Sequence, residues 1–196
     1  YGLMPAYNFA SPDDAMPKAK SYAEKAIEKN PNLASAYTSL AWVLHNYEYD
    51  WKGAEENYSK AIELDPNYAT VNHWFGIFLS NNGRHNKAIE TLKKAAELDP
   101  QSMIIQYTVG QILLVAEQSE EALKYVERAH KMNPYFSSAL WFKFSKLTKV
   151  NTDKDIAFLK EAIKRFPDQP MHRKTLLEVY LKMGNREAAL EQMVDL

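Results

Sequence analysis

Cysteine is the first residue type that this chain of 196 residues lacks. Disulfide frameworks and thiolate metal sites are therefore excluded. The absence is compatible with a reducing and with an oxidising compartment. We expect a cytoplasmic location, and the periplasm stays open as an alternative.

The sequence also lacks an excess of charge of either sign. Lys and Arg number 24 and Asp and Glu number 25, which gives a formal net charge of -1. A general nucleic-acid or anionic-membrane binder normally shows a basic face, so neither kind of partner is expected. No apolar run approaches the roughly 20 residues that cross a bilayer, and we expect no membrane insertion.

Catalytic and metal-binding motifs are missing as well. The six glycines form no GxGxxG, phosphate-binding or GxSxG motif. The five histidines form no HExxH motif and no pair spaced three to five residues apart on one helix. The carboxylates fall on expected helix surfaces beside lysines, without the burial that tunes a general acid or base. We therefore expect no enzyme activity, no metal and no cofactor.

What the chain does contain is a repeat. Five prolines are spaced 35, 34, 34 and 33 residues apart, at Pro31, Pro66, Pro100, Pro134 and Pro167. An alanine lies five residues before each of them, at Ala26, Ala61, Ala95, Ala129 and Ala162. Self-similarity at a fixed period of this length indicates a repeat architecture.

Each repeat is predicted to consist of two helices joined by a short turn. Around Phe75 and Leu92, apolar residues follow helical spacing on both sides of the polar stretch NNGRH at 81–85. Gly83 in that stretch can adopt the positive φ of a helix C-cap. Each periodic proline ends a second helix, because it lacks an N–H and its ring clashes with the preceding turn.

A small residue follows a large one in the first helix of three repeats, at Leu40–Ala41, Phe75–Gly76 and Val109–Gly110. Together with the periodic alanines and prolines, this pattern resembles the tetratricopeptide repeat, a helix–turn–helix unit of about 34 residues. The resemblance implies an all-α fold, a right-handed superhelical solenoid of antiparallel helix pairs in a single array over residues 1–196. The repeats would be 34–68, 69–102, 103–136 and 137–169, with partial repeats at 1–33 and 170–196.

The resemblance also implies a binding site for a protein or peptide segment. If the repeats stack as in the family, one stripe of the first helices lines a concave groove. The residues of this predicted groove are Thr38, Trp42, His45, Asn46, His73, Ile77, Tyr107, Gln111, Leu114, Trp141 and Ser145. Exposed aromatic rings are typical anchors of binding sites, and Trp74 lies at the edge of the stripe. The alternative is that the tryptophans pack between repeats as core, which we favour for Trp74.

A second function stays open beside the protein-interaction scaffold. The last helix, REAALEQMVDL at 186–196, carries Leu190 and Met193 with no following repeat to cover them, which favours a homodimer through an uncapped end. The chain opens with Tyr1, and we expect it to be a piece of a longer protein. Residues 47–76 are similar to the repeat regions of multidomain bacterial signalling proteins that carry a cyclase, kinase or winged-helix domain. The alternative is therefore a regulatory or oligomerisation module of such a protein.

Overall fold

The computed structural model describes residues 11–135 and 153–193, and all regular structure within these ranges is helical. Contacts divide the chain into two compact parts, residues 1–100 and residues 101–196. We call them the N-terminal unit and the C-terminal unit and describe each by itself. The labels α1 to α10 number the described helices in chain order. The single array over 1–196, with its repeat boundaries, stays a prediction.

The described part of the N-terminal unit contains five α-helices. They are α1 (Pro12–Lys29), α2 (Ala34–Val43), α3 (Trp51–Leu64), α4 (Ala69–Asn81) and α5 (His85–Leu98). The pairs α2–α3 and α4–α5 pack as hairpins, α2 also contacts α4, and α1 packs on α2. Each hairpin is therefore held by its own turn and by the neighbouring hairpin.

Small residues allow these helices to approach closely. Ala54 of α3 and Ala88 of α5 have no exposed surface. At Gly76 of α4, a Cβ atom would lie 2.5 Å from Leu92 Cγ, far inside van der Waals contact. The positions that the sequence marks as small are thus the points where two helices touch.

The first complete repeat is one residue longer than the second, and a π-helical turn at Leu44–Glu48 takes up the extra residue. After this turn the Asp50 N–H donates to the Leu44 carbonyl, six residues back, at 3.0 Å. In the next repeat the Arg84 N–H donates to the Leu79 carbonyl, five residues back, at 2.9 Å. A π-turn inserts a residue without breaking the helix, but it changes the direction of the side chains around it.

The described part of the C-terminal unit contains two groups of helices. The first is the hairpin of α6 (Met103–Val115) and α7 (Ser119–Met132). The second consists of α8 (Asp153–Arg165), α9 (Pro170–Lys182) and α10 (Arg186–Met193), in which α8 and α10 both pack on α9. Among the described helices of both units, none combines the length and the hydrophobicity that a bilayer crossing requires.

Candidate functional site

Three residues of the predicted groove are buried. Thr38, His45 and His73 expose 1%, 2% and 7% of their surface. The Thr38 hydroxyl donates to the Ala34 carbonyl of its own helix at 2.8 Å, which is a contact of the helix interior. These three side chains were predicted to line an open surface. That prediction is corrected here, because they are buried.

The two histidines among them, His45 and His73, are uncharged and pack in the protein interior. The His45 ring lies in the core, where its Nε2 accepts from Asn81 Nδ2 at 3.2 Å and its centroid is 5.1 Å from that of Phe78. Burial lowers the pKa of His45, and it lowers the pKa of His73 to about 4. Both rings are therefore uncharged near neutral pH, since removal from water disfavours the protonated form.

The other residues of the predicted groove differ in exposure. Asn46 is exposed, and the half-buried residues are Trp42, Ile77, Tyr107, Gln111 and Leu114. In the C-terminal unit, Tyr107 and Leu114 pack against the buried core of α7, so part of each side chain serves the fold. Trp141 and Ser145 lie outside the described residues.

Two half-buried tryptophans of the N-terminal unit pack on each other. The ring centroids of Trp42 and Trp74 are 4.6 Å apart, with 39° between the ring planes. The edge of this pair contacts the buried cluster through His45, whose ring centroid is 6.2 Å from that of Trp42. The contact with His45 therefore fixes one edge of the pair, while Trp42 and Trp74 both retain exposed surface.

Beside this pair, a groove of about 430 Å³ runs between α1 and α2; we call it the α1–α2 groove. Small side chains line it, namely Ala19, Ala23, Ala26, Ser35, Ala36 and Ser39. The exposed residues Tyr22 and Leu33 also contribute, as do both rings of the Trp42–Trp74 pair. Its volume falls within the range of pockets that bind ligands, and its lining carries no charged side chain.

Polar contacts hold α1 in place next to the groove. Lys20 Nζ donates to both carboxylate oxygens of Glu48, each at 2.8 Å. The Tyr47 hydroxyl donates to Asp13 Oδ1 at 3.1 Å. The hydrogen bond with Glu48 raises the pKa of Lys20, so this contact stays charged at neutral pH. These contacts join α1 to the turn that follows α2.

The sequence prediction missed the α1–α2 groove, although one signal for it was present. Ala23 occupies the repeat position that holds Tyr58 in α3, Leu92 in α5 and Val126 in α7. A small residue at a position that is large in the other repeats leaves space, and Ala23, although buried, is among the residues that line the α1–α2 groove. The residues of the predicted groove were taken from first helices only. They did not include α1, because α1 is the second helix of its repeat.

Comparison with known proteins agrees with this architecture. The family of anaphase-promoting complex (cyclosome) subunit 3 matches residues 47–129. Among solved structures, PilW, a widely conserved type IV pilus biogenesis factor, is 20% identical over 92% of this chain and 84% of its own, with a TM-score of 0.73. PilF of Pseudomonas aeruginosa is 22% identical over 97% of this chain and 84% of its own, with a TM-score of 0.72. No protein of curated function matches the chain by sequence.

A third solved structure carries the repeat name explicitly. YrrB, described as a TPR protein with an unusual peptide-binding site, is 24% identical over 88% of this chain and 89% of its own, with a TM-score of 0.64. Identities this low establish the fold and nothing finer. The predicted tetratricopeptide-repeat fold is confirmed: the chain has the all-α fold of these repeat proteins. Within the described residues, no group of three or more His, Asp or Glu side chains could hold a metal ion.

Proposed function

We propose that this chain is a non-catalytic protein-interaction scaffold that binds a protein segment in the α1–α2 groove. The observation that carries the proposal is the Trp42–Trp74 pair, two large rings in contact at 4.6 Å that keep exposed surface beside an uncharged groove. Tryptophan is enriched among the residues that dominate binding energy, because it buries much area with few rotatable bonds. The repeat class supports the proposal, since its members act through extended binding surfaces.

The α1–α2 groove suits binding because it is already formed. Lys20 and Tyr47 fix α1 against the turn after α2, so a ligand does not have to order the walls. Pre-organisation of this kind lowers the entropic cost of association. Two other members of the predicted groove in the N-terminal unit, Asn46 and Ile77, stay proposed as further contacts. In the C-terminal unit, taken by itself, Tyr107, Gln111 and Leu114 stay proposed as peptide-binding residues.

The test begins with peptides selected from a displayed random library against the full chain. We expect Trp42→Ala to weaken the selected peptides by at least about tenfold, as truncation of a central aromatic anchor does. Trp51→Ala is the matched control, because Trp51 is an exposed tryptophan of the same unit that does not line the groove. Its affinity should stay within about twofold of the parent chain.

Urea unfolding separates binding from stability in the same variants. A loss of several kcal/mol in Trp42→Ala would show that this ring is core, and the proposed site would be wrong. Ser39→Glu provides a second variant, because Ser39 is an exposed residue of the groove wall where a carboxylate leaves the core untouched. Unchanged affinity in both variants would also refute the site.

A second candidate function is self-association or docking onto another part of a larger signalling protein. Exposed apolar side chains on and after α9 and on α10 favour it, namely Leu181, Met183, Leu190 and Met193. Light scattering over a concentration series tests it. A mass that rises with concentration in the parent chain, and not in Leu190→Glu, would support this function, and a constant mass would exclude self-association.

A further inference from the structure

Asn82 and Gly83, in the turn after α4, form the one Asn-Gly pair of the sequence. Asparagine is chemically labile, because the backbone nitrogen of the next residue can attack its side-chain amide. Glycine hinders this attack least, since it has no Cβ atom. Both residues are exposed, and a Cβ atom at Gly83 would have no heavy atom within 4 Å. Water therefore has access to the pair.

The end of α4 holds both reacting groups in hydrogen bonds. The Gly83 N–H, which carries the attacking nitrogen, donates to the Ser80 carbonyl at 2.9 Å. The Asn82 side-chain amide, which carries the leaving nitrogen, donates to the Phe78 carbonyl at 2.8 Å. We call these two bonds the α4 cap. The Gly83 nitrogen cannot attack while its proton is shared with Ser80, so the reaction requires the α4 cap to open locally.

A contact with α3 keeps the α4 cap closed. Arg84 donates from Nη1 and Nη2 to the Glu55 carboxylate of α3, at 2.6 and 3.1 Å. Its guanidinium carbon lies 5.5 Å from the centroid of the Phe78 ring, and its backbone N–H donates to the Leu79 carbonyl at 2.9 Å. The turn after α4 is thus tied to α3 as well as to its own helix. Loss of the ion pair should raise the fraction of chains in which the cap is open.

We propose that Asn82 is a site of spontaneous deamidation and that the α4 cap controls its rate. When the cap opens, hydroxide removes the Gly83 N–H proton and the nitrogen attacks Asn82 Cγ. The new C–N bond closes a succinimide ring, the Cγ–Nδ2 bond breaks, and the amide nitrogen leaves as ammonia after taking a proton from water. Water then adds to either ring carbonyl and gives aspartate or isoaspartate at position 82. The net reaction consumes water and releases ammonia.

The product cannot restore the cap. A carboxylate only accepts hydrogen bonds, so it cannot donate to the Phe78 carbonyl as the Asn82 amide does. It also places negative charge at the C-terminal end of α4, where the helix dipole disfavours it. Isoaspartate lengthens the main chain by a carbon atom and so changes the path from α4 to Gly83. Deamidation is therefore a one-way change that loosens the turn between α4 and α5.

Ageing of the full chain in neutral buffer, followed by proteolysis and mass spectrometry, tests the site. A synthetic peptide of residues 78–90 gives the rate without the cap. We expect the folded chain to react at least about tenfold more slowly than the peptide, which corresponds to an opening free energy of about 1.4 kcal/mol or more. In urea that unfolds the chain, the two rates should converge. Asn81 is the internal control, since it is exposed beside Asn82 but is followed by asparagine.

Hydrogen exchange connects the rate to the cap. Exchange of the Gly83 amide, followed by NMR, reports the opening of the same N–H. Glu55→Gln should speed both exchange and deamidation by about two- to fivefold, because it weakens a partly exposed ion pair. Glu56→Gln is the matched control, since Glu56 is the next residue of α3 and pairs with Lys52 instead, at 3.9 Å. Both of its rates should equal those of the parent chain.

The effect of the product on the fold is measured with Asn82→Asp. We expect this variant to lower the urea midpoint, because it removes the donor to Phe78 and puts a charge at the end of α4. Asn86→Asp is the matched control, because Asn86 is exposed in the first turn of α5, where the helix dipole favours negative charge. Its midpoint should stay the same or rise.

Other outcomes would overturn the inference at separate steps. Deamidation of the folded chain at the rate of the peptide would refute control by the α4 cap. Equal reaction at Asn81 and Asn82, or none at Asn82 even in urea, would refute the site. Equal rates in Glu55→Gln and Glu56→Gln would show that the ion pair does not hold the cap closed. An Asn82→Asp chain as stable as the parent would show that the product keeps the turn intact.

Discussion

Four positions of the described chain have a left-handed backbone at the end of a first helix, and two of them are not glycine. Their φ angles are 57° at Tyr49, 72° at Gly83, 61° at Glu117 and 76° at Gly184. They occupy one repeat position, at spacings of 34, 34 and 67 residues. We predict that Gly83→Ala destabilises the protein and that Glu117→Gly stabilises it.

The magnitude follows from the backbone alone. A Cβ atom at Gly83 would have no heavy atom within 4 Å, so no steric contact contributes. The left-handed conformation costs a non-glycine residue about 1–2 kcal/mol. Replacing glycine restricts the unfolded chain and returns about 0.4–1 kcal/mol. The net loss for Gly83→Ala is therefore about 0.8 kcal/mol, between limits of about 0 and 1.6 kcal/mol, and Glu117→Gly should gain a similar amount.

The capping hydrogen bonds explain why the chain keeps this conformation even with glutamate. The Glu117 N–H donates to the Leu114 carbonyl at 3.0 Å, and the Gln118 N–H donates to the Leu113 carbonyl at 2.8 Å. Both carbonyls belong to the last turn of α6, where they have no partner within the helix. Glu117 keeps the strained left-handed conformation because another backbone conformation would break the hydrogen bonds to these two carbonyls.

Urea unfolding followed by circular dichroism measures both variants. Glu90→Gly is the matched control, because Glu90 is an exposed residue inside α5 and the same substitution there should cost about 1 kcal/mol. The change in unfolding free energy on replacing Glu by Gly should thus have opposite signs at the two positions, because φ is positive at Glu117 and helical at Glu90. If Glu117→Gly destabilises as Glu90→Gly does, or if Gly83→Ala has no effect, the left-handed position is not what caps these helices.

The remaining predictions concern a buried histidine, a close helix contact and an ion pair. The pKa of His73 is about 4 in the folded chain and 6.5 ordinarily, so the unfolded chain binds a proton at this residue more readily. The free energy of unfolding should therefore be unaffected by His73 above pH 6.5 and fall by up to about 3 kcal/mol as the pH falls towards 4. His73→Gln should flatten this fall in the urea midpoint. Gly110→Ala should destabilise by about 1–3 kcal/mol, since its Cβ would lie 2.6 Å from Val126 Cγ2, and adding Val126→Ala should recover part of the loss in thermal melts. A double-mutant cycle of Arg84 with Glu55, which meet at 2.6 and 3.1 Å but are partly exposed, should give a coupling below about 1 kcal/mol that shrinks in high salt; an undiminished coupling would contradict surface screening.

The repeat period was sufficient to predict the helices of the N-terminal unit. Pro66 lies in the turn between Leu64, the end of α3, and Ala69, the start of α4, as a residue that cannot continue a helix should. Gly83 has the positive φ expected of a C-cap. These features depend on local chemistry that a single sequence contains, so they could be read without a structure.

The exposure of individual groove residues could not be predicted in the same way. The period shows that one residue is inserted in the first complete repeat, but it does not show where the helix takes it up. The π-turn at Leu44–Glu48 changes the direction of the side chains around it, and His45 points into the core beside Phe78. Thr38 and His73 are buried for a different reason, because a narrow stripe on a first helix is bounded on both sides by packing positions.

The α1–α2 groove depends on a comparison among repeats rather than on any motif. A leucine at position 23, as at Leu92, would add three carbons to a largely buried site, worth on the order of 2 kcal/mol. The chain carries alanine there instead and so leaves stability unused, which is common where a surface is kept open for binding. Ala23→Leu should therefore raise the urea midpoint and weaken the binding of a protein segment in the α1–α2 groove. A variant that lost stability would show that the space is too small for the side chain, and that α1 and α2 are already packed as closely as the groove permits.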